Sequence, residues 1–337
     1  MKGRRKFLQQ LTIGSAGLML PFTSVALGKT HKWKSLKFGV IADPHKDIIP
    51  DADQRLEAFI EKAEEEKPDF IINLGDFCFA KEQNKPFLKR FEQVKVPTYH
   101  VLGNHDMDYN TKEQMMEFLE MPGKYYSFDS QGYHFVVLDA NYLYQDGTFT
   151  DYQKGNFYVD FNVRTFIDDR QIEWFQADLE ATSKPTIVFS HQGLMHHQMG
   201  VKNRLRLQLI MEQVNQKAGY NKVIACLNGH NHIDFHRVLN GIHYFEINSM
   251  SYHWFGHKKF LNHYDSQLLE QYPHLPNMGM YKEALYAFVS IEPKGGILKV
   301  QGVRSQWAPV TPERVGIRKG IFGSEGTPQI SDYEVKL

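Results

Sequence analysis

Five short polar motifs hold the residues of this chain that could do chemistry. They are Asp43-x-His45, Gly75-Asp76, Gly103-Asn104-His105-Asp106, His191 and Gly229-His230-x-His232. Together they offer carboxylate, amide and imidazole groups, which can bind metals or move protons, and no thiolate. Singly they are weak. An isolated Asp-x-His is more often a turn or capping pair than a ligand set. Gly-Asp after an apolar run is ordinary turn chemistry, and Gly-His-x-His is a moderate metal signal. What the five share is position, because each follows a short apolar run.

Those runs read as strands. Leu36–Ala42, Phe70–Leu74 and Pro97–Leu102 alternate with the amphipathic runs Asp53–Glu66 and Phe87–Val94. Such alternation predicts parallel strands joined by crossover helices. In such sheets, sites form beyond the carboxyl ends of the strands. Thr186–Ser190 and Val223–Leu227 deliver His191 and the Gly229 motif in the same way. Helices are expected from Thr111, over Gln171–Thr182 and over Leu205–Ala218. Hairpins are expected around Ser130-Gln131-Gly132, Asn240-Gly241 and Lys294-Gly295-Gly296. Residues 141–169 show no period and read as a long loop beside the site. Residues 251–284, with four histidines, read as an inserted loop lying over it. The tail, 308–337, reads as irregular.

Five motifs in this order resemble the calcineurin-like metallophosphoesterase family over residues 36–250. The resemblance implies a four-layer αββα sandwich of two mixed sheets, α/β in class, with a dimetal site at the strand C-terminal rim. Carried over position by position, Asp43, His45 and His232 would hold one metal. Asn104, His191 and His230 would hold the other, and Asp76 would bridge them. Mixed imidazole and oxygen ligands suit Mn, Fe, Zn or Ni. The two carboxylates leave the pair of divalent ions net positive, matched to a phosphate ester and to a metal-bridging hydroxide nucleophile. His105 would be the general acid, with Asp106 orienting its ring. The family's purple acid branch has Gly where His45 stands and a metal-binding Tyr where this chain has Phe79, so the pattern looks instead like the cyclic-nucleotide phosphodiesterase-like branch. A small phosphodiester is therefore the expected substrate. A phosphomonoesterase of the same fold and a non-catalytic metal- or phosphate-binding protein are the alternatives. A monoesterase would want extra basic groups, and Arg164, Arg170 and Arg204 are the loop candidates. His196 and His197 follow His191 and could face substrate, and Tyr142, Tyr144, His253 and Trp254 could stack on a base or sugar; exposed loop histidines and ordinary aromatic packing are the plainer readings.

Composition sets the bounds. The 337 residues, 42% hydrophobic, suffice for one large α/β domain, taken as 34–307. Residues 1–28 resemble a twin-arginine export signal: Arg4-Arg5 in a basic start, an apolar run Leu11–Phe22 too short to span a bilayer, and small residues at Ala26-Leu27-Gly28. That implies the twin-arginine machinery as a partner, a periplasmic or secreted protein, and no stable membrane span in the mature chain. Of 39 basic residues, four lie in this segment, which leaves 35 against 39 acidic ones, a net charge of −4. Long nucleic acid is a disfavoured partner on that balance. The two cysteines, Cys78 and Cys226, sit in apolar runs and read as buried thiols.

Overall fold

The computed structural model describes residues 33–195 and 199–337. The expected export signal, His196 and His197 lie outside the described residues. Two mixed six-stranded sheets form the body. The first runs Tyr333–Lys336, Ile297–Gly302, Ala287–Glu292, Leu36–Ile41, Phe70–Asn73, Thr98–His100. The second runs Phe235–Leu239, Ile242–Glu246, Val223–Asn228, Thr186–Ser190, Tyr133–Leu138, Tyr126–Ser130. The strands that feed the motifs run parallel to one another, Leu36–Ile41 with Phe70–Asn73 and Thr98–His100 at one edge of the first sheet, and Thr186–Ser190 with Val223–Asn228 in the middle of the second.

The four layers follow from side-chain alternation. Phe38 and Val40 join the cluster between the sheets, whereas Ile41 joins the outer one. In the second sheet Phe135 and Val137 point inward while Val136 and Leu138 point out. A strand covered on both faces needs apolar residues at every position, hence the unbroken hydrophobic runs. Helix Ala52–Glu66 covers the first sheet with Leu56, Phe59, Ile60 and Ala63. Helices Asp169–Ala181 and Arg204–Ala218 cover the second with Phe175, Leu179, Leu207 and Met211. Cys78 and Cys226 are buried free thiols. Among the described residues no helix is long and apolar enough to cross a membrane.

Three stretches differ from expectation. Residues 141–169 contain a three-stranded sheet, Tyr142–Gln145, Thr148–Asp151 and Arg164–Phe166. Its first turn is Asp146-Gly147, both residues at positive φ, which is hairpin chemistry set in an aromatic stretch without apolar alternation. Residues 251–284 include the pair Tyr252–Trp254 and Met278–Met280 and helix Ser266–Gln271. The tail returns as Tyr333–Lys336 at the edge of the first sheet.

One buried ion pair ties the small sheet to the motif that ends in Asp106. Helix Lys112–Phe118 starts from a Thr111/Gln114 capping box. A lysine in its first turn opposes the helix dipole, so the side chain must gain elsewhere. Lys112 Nζ lies 2.6 Å from Asp139 and 2.8 Å from Asp151, and 3.4 Å over the Tyr142 ring. Lys112→Met leaves Asp139 buried without its partner and is expected to cost about 3–5 kcal/mol in urea unfolding. A loss under about 1 kcal/mol would show that the pair does not hold the small sheet.

Candidate metal centre

The seven residues expected as ligands converge at the carboxyl ends of five strands. Asp43 Oδ1 lies 3.2 Å from His232 Nε2, and His232 Nε2 lies 3.3 Å from His45 Nε2. Asp76 Oδ2 lies 3.1 Å from His191 Nε2 and 3.7 Å from His45 Nε2. His230 Nδ1 lies 3.3 Å from His191 Nε2. Asp43, His45 and His232 form one group whose ligand atoms lie within 4.8 Å of one another, and Asp76, His191 and His230 form a second. Asn104 is buried beside them on the wall of the same cleft. Its Oδ1 is 3.5 Å from Gln192 Nε2, which also donates to Asn141 Oδ1 at 2.8 Å.

The backbone is bent to make this possible. Asp43, His45, Asp76, His230 and His232 all adopt positive φ, between 50° and 70°. Each such residue costs about 1–3 kcal/mol, and such strain persists only where the surroundings fix it. Here the loops brace one another. Asp43 N donates to Gly75 O, His45 N to Asp76 O, and Gly229 N to His191 O, at 3.0–3.1 Å. Ser249 Oγ donates to Asp43 O at 3.0 Å. The motif glycines serve close approach. A Cβ on Gly103 would stand 2.1 Å from the Asp76 amide, and one on Gly229 2.6 Å from Asp43 Oδ2.

Ring orientation is set from behind. His191 Nδ1 donates to Leu74 O at 2.8 Å and His232 Nδ1 to Tyr252 O at 2.9 Å, which turns both Nε2 atoms into the site. Burial holds His45 and His230 well below the ordinary imidazole range, which favours the neutral ring that a metal would need. His191 is raised to about 9: burial pulls it down, but the charges of Asp76 and Asp43 outweigh that. His105 is also raised to about 9, with burial outweighed by Asp76 and by the hydrogen bond to Asp108.

The expectation that Asp106 orients His105 is corrected. Asp106 faces away and accepts the amides of Gly103 (2.7 Å), Phe77 (2.8 Å) and Asp76 (3.2 Å). Its carboxylate holds the Asp76 and Gly103 loops together. Asp108 takes the imidazole, with Oδ2 2.9 Å from His105 Nδ1, and Tyr158 OH donates to Asp108 Oδ1 at 2.8 Å. His105–Met107 is a 3₁₀ turn, in which residues three apart eclipse. Position 108 therefore shares the face of His105 and position 106 does not.

The other candidates scatter. Tyr142 packs on Lys112, and Tyr144 is exposed beside Phe149. His253 is buried behind the site, donating to His232 O at 2.8 Å. Trp254 and Arg164 line the cleft, whereas Arg170 is exposed at a helix start and Arg204 is half-buried at another.

Residues 36–234 match the family described as calcineurin-like phosphoesterase. The chain belongs to that family. The phosphoesterase is 26% identical over 212 residues to a manganese-dependent ADP-ribose/CDP-alcohol diphosphatase of Arabidopsis thaliana, spanning 50% of this chain and 68% of that protein. It is 29% identical over 149 residues to the protein of the same description from Oryza sativa subsp. japonica, spanning 36% of this chain and 46% of that one. A dimetal phosphatase from Danio rerio shares the fold, with TM-score 0.56 over 82% of this chain and 99% of that one at 14% identity.

Calcineurin-like phosphoesterases use divalent metals, and this donor set fits them. Four imidazoles, two carboxylates and one amide supply nitrogen and oxygen but no thiolate. Pairs of imidazole nitrogens face each other at 3.3 Å, a placement that a cation between them would relieve. Adding Mn²⁺ at a hundred times its Kd is expected to raise the Tm by about 5 °C, the equivalent of about 2.7 kcal/mol. Asp76→Asn should lose most of that gain. A wild-type Tm indifferent to Mn²⁺, Fe²⁺ and Zn²⁺ would contradict a metal centre here.

Proposed function

We propose that the phosphoesterase hydrolyses a small phosphodiester at two metals, with His105 protonating the leaving oxygen. The placement of His105 carries this reading. Its amide donates to Asp76 Oδ1 at 2.7 Å, Asp108 holds its Nδ1, and a third of its side chain is exposed in the cleft beside the ligands. A ring pinned at Nδ1 keeps Nε2 for the substrate.

Asp43, His45 and His232 would hold one ion, Asn104, His191 and His230 the other, with Asp76 between them. Divalent ions bound there supply Lewis-acid charge and lower the pKa of water. The water oxygen bonds to phosphorus as the P–O bond to the leaving group breaks, and the proton on His105 passes to the departing oxygen. Asp108 keeps the ring aligned and stabilises it while it carries the proton. Asp106, by fixing the loops of Asp76 and Gly103, is a positioning residue. The Asp-x-His pattern and the described activity of the plant relatives on ADP-ribose and CDP-alcohols support a diester substrate and manganese as one usable metal.

His105→Ala is expected to keep its bound Mn²⁺ and to lose about 10²–10⁴-fold in kcat on an alkyl phosphodiester. It should lose less on bis-p-nitrophenyl phosphate, whose leaving group needs little protonation. Asp108→Asn should cost about 10–100-fold on the alkyl ester. An alkyl-ester rate at the wild-type level in His105→Ala would exclude the acid role.

A further inference from the structure

Asn104 is the one expected ligand that carries an amide, and an amide has two unlike ends. Its oxygen can ligate a cation, whereas its NH₂ group is a donor and cannot. Turning the group over exchanges the two with little change of shape. Something must therefore decide which end faces the metal position.

A chain of hydrogen bonds behind Asn104 runs in a single sense. Lys112 can only donate and the Asp139 carboxylate can only accept, Nζ to Oδ2 at 2.6 Å. Asp139 Oδ1 takes the Asn141 backbone N at 3.0 Å and its Nδ2 at 2.9 Å, and Asn141 Nδ2 also donates to Leu102 O at 2.7 Å. Both partners of Nδ2 are acceptors, so Asn141 Oδ1 must face the other way. There it accepts from Gln192 Nε2 at 2.8 Å. The second N–H of that Nε2 is left for Asn104 Oδ1, 3.5 Å away. Turned over, Gln192 would set its own oxygen against those of Asn141 and Asn104. Its Oε1 is buried with no partner among the described residues, so no bond on that side competes for the choice. Lys112, Asp139, Asn141 and Gln192 are all fully buried, where two facing oxygens go unrelieved by water. The chain also reaches the backbone of the site: Leu102 lies two residues before Asn104, and Gln192 follows His191.

From this we infer that Asn141 and Gln192 are positioning residues for the ion expected at Asn104, His191 and His230. The fixed direction of the relay from Lys112 makes Asn104 keep its oxygen, not its NH₂ group, on the side of Gln192, with a lone pair left for the metal. The inference rests on the two-metal reading above and deepens it: Gln192 and Asn141 touch no ion, yet they set the affinity of one site and not of the other.

The test is calorimetric titration of the metal-free protein with Mn²⁺, in which the Asn104 site is recognised as the one lost in Asn104→Ala. Gln192→Met keeps the length of the side chain and removes the donor, and Asn141→Ala removes the acceptor that orients it. Each is expected to weaken the Asn104 site by about 10–100-fold relative to the other site in the same preparation. Asn104→Asp is the control, because a carboxylate presents oxygen whichever way it turns. In that background either substitution should weaken the site by less than about threefold. An equal loss at both sites overturns the relay, and so does the same loss with and without Asn104→Asp, which would make Gln192 a packing residue. Should one variant fail to fold, the other carries the same expectation, and an unchanged affinity ratio in it overturns the relay. A wild type that binds fewer than two Mn²⁺ contradicts the two-metal reading and the relay with it, whereas two ions with unchanged ratios overturn the relay alone.

Discussion

Asp76 is the contact on which the rest of the site depends. One carboxylate oxygen accepts the His105 amide at 2.7 Å, and the other faces His191 and His45 at 3.1 and 3.7 Å. Its main chain is fixed by Asp106 and by the pairing of Asp76 O with His45 N. Burial alone would protonate it, but the surrounding imidazoles outweigh that, and its carboxyl lies well below the usual range. The second carboxylate of the cluster, Asp43, approaches the same imidazoles at 3.8 and 3.9 Å and His232 at 3.2 Å. Four imidazoles at such spacing leave ring nitrogens facing one another at 3.3 Å, a placement that cations among them would relieve. The fold spends backbone strain at five residues to keep them there, and the two sheets supply the rigid strand ends that make the strain sustainable.

Much of the site was legible before the structure. The expected ligands were found at strand ends because parallel strands covered on both faces read as apolar runs, and the polar break after each run marks the rim. Asp108 was not legible. Sequence adjacency favoured Asp106, and only the eclipsing of a 3₁₀ turn places residue 108 under the imidazole. The motif glycines were legible as glycines but not in their use: Gly103 serves the approach of the Asp76 loop rather than a left-handed turn.

The fold was legible where periodicity was strong and obscure where it was not. Both sheets and the covering helices follow the hydrophobic pattern within a few residues. The small sheet of 142–166 has strands of only three or four residues, too short for its one aromatic face (Tyr142, Tyr144, Phe149 and Phe166) to show as a period, so its one local signal, Asp146-Gly147, stood alone. The edge strand Tyr333–Lys336 has four residues, two of them charged, and pairing with Ile297–Gly302 gives it a structure its own sequence does not demand. Arg164 illustrates the same limit at the site. Three loop arginines were equivalent in sequence, and long-range placement alone brings one of them into the cleft.

The central claim is that two metal ions sit between these residues and share Asp76. Anomalous diffraction at the manganese edge from crystals soaked in Mn²⁺ tests it directly. The account predicts two peaks about 3.5–4 Å apart, one among Asp43, His45 and His232, the other among Asn104, His191 and His230, with Asp76 reaching both. A single peak, or peaks placed away from Asp76, would contradict it.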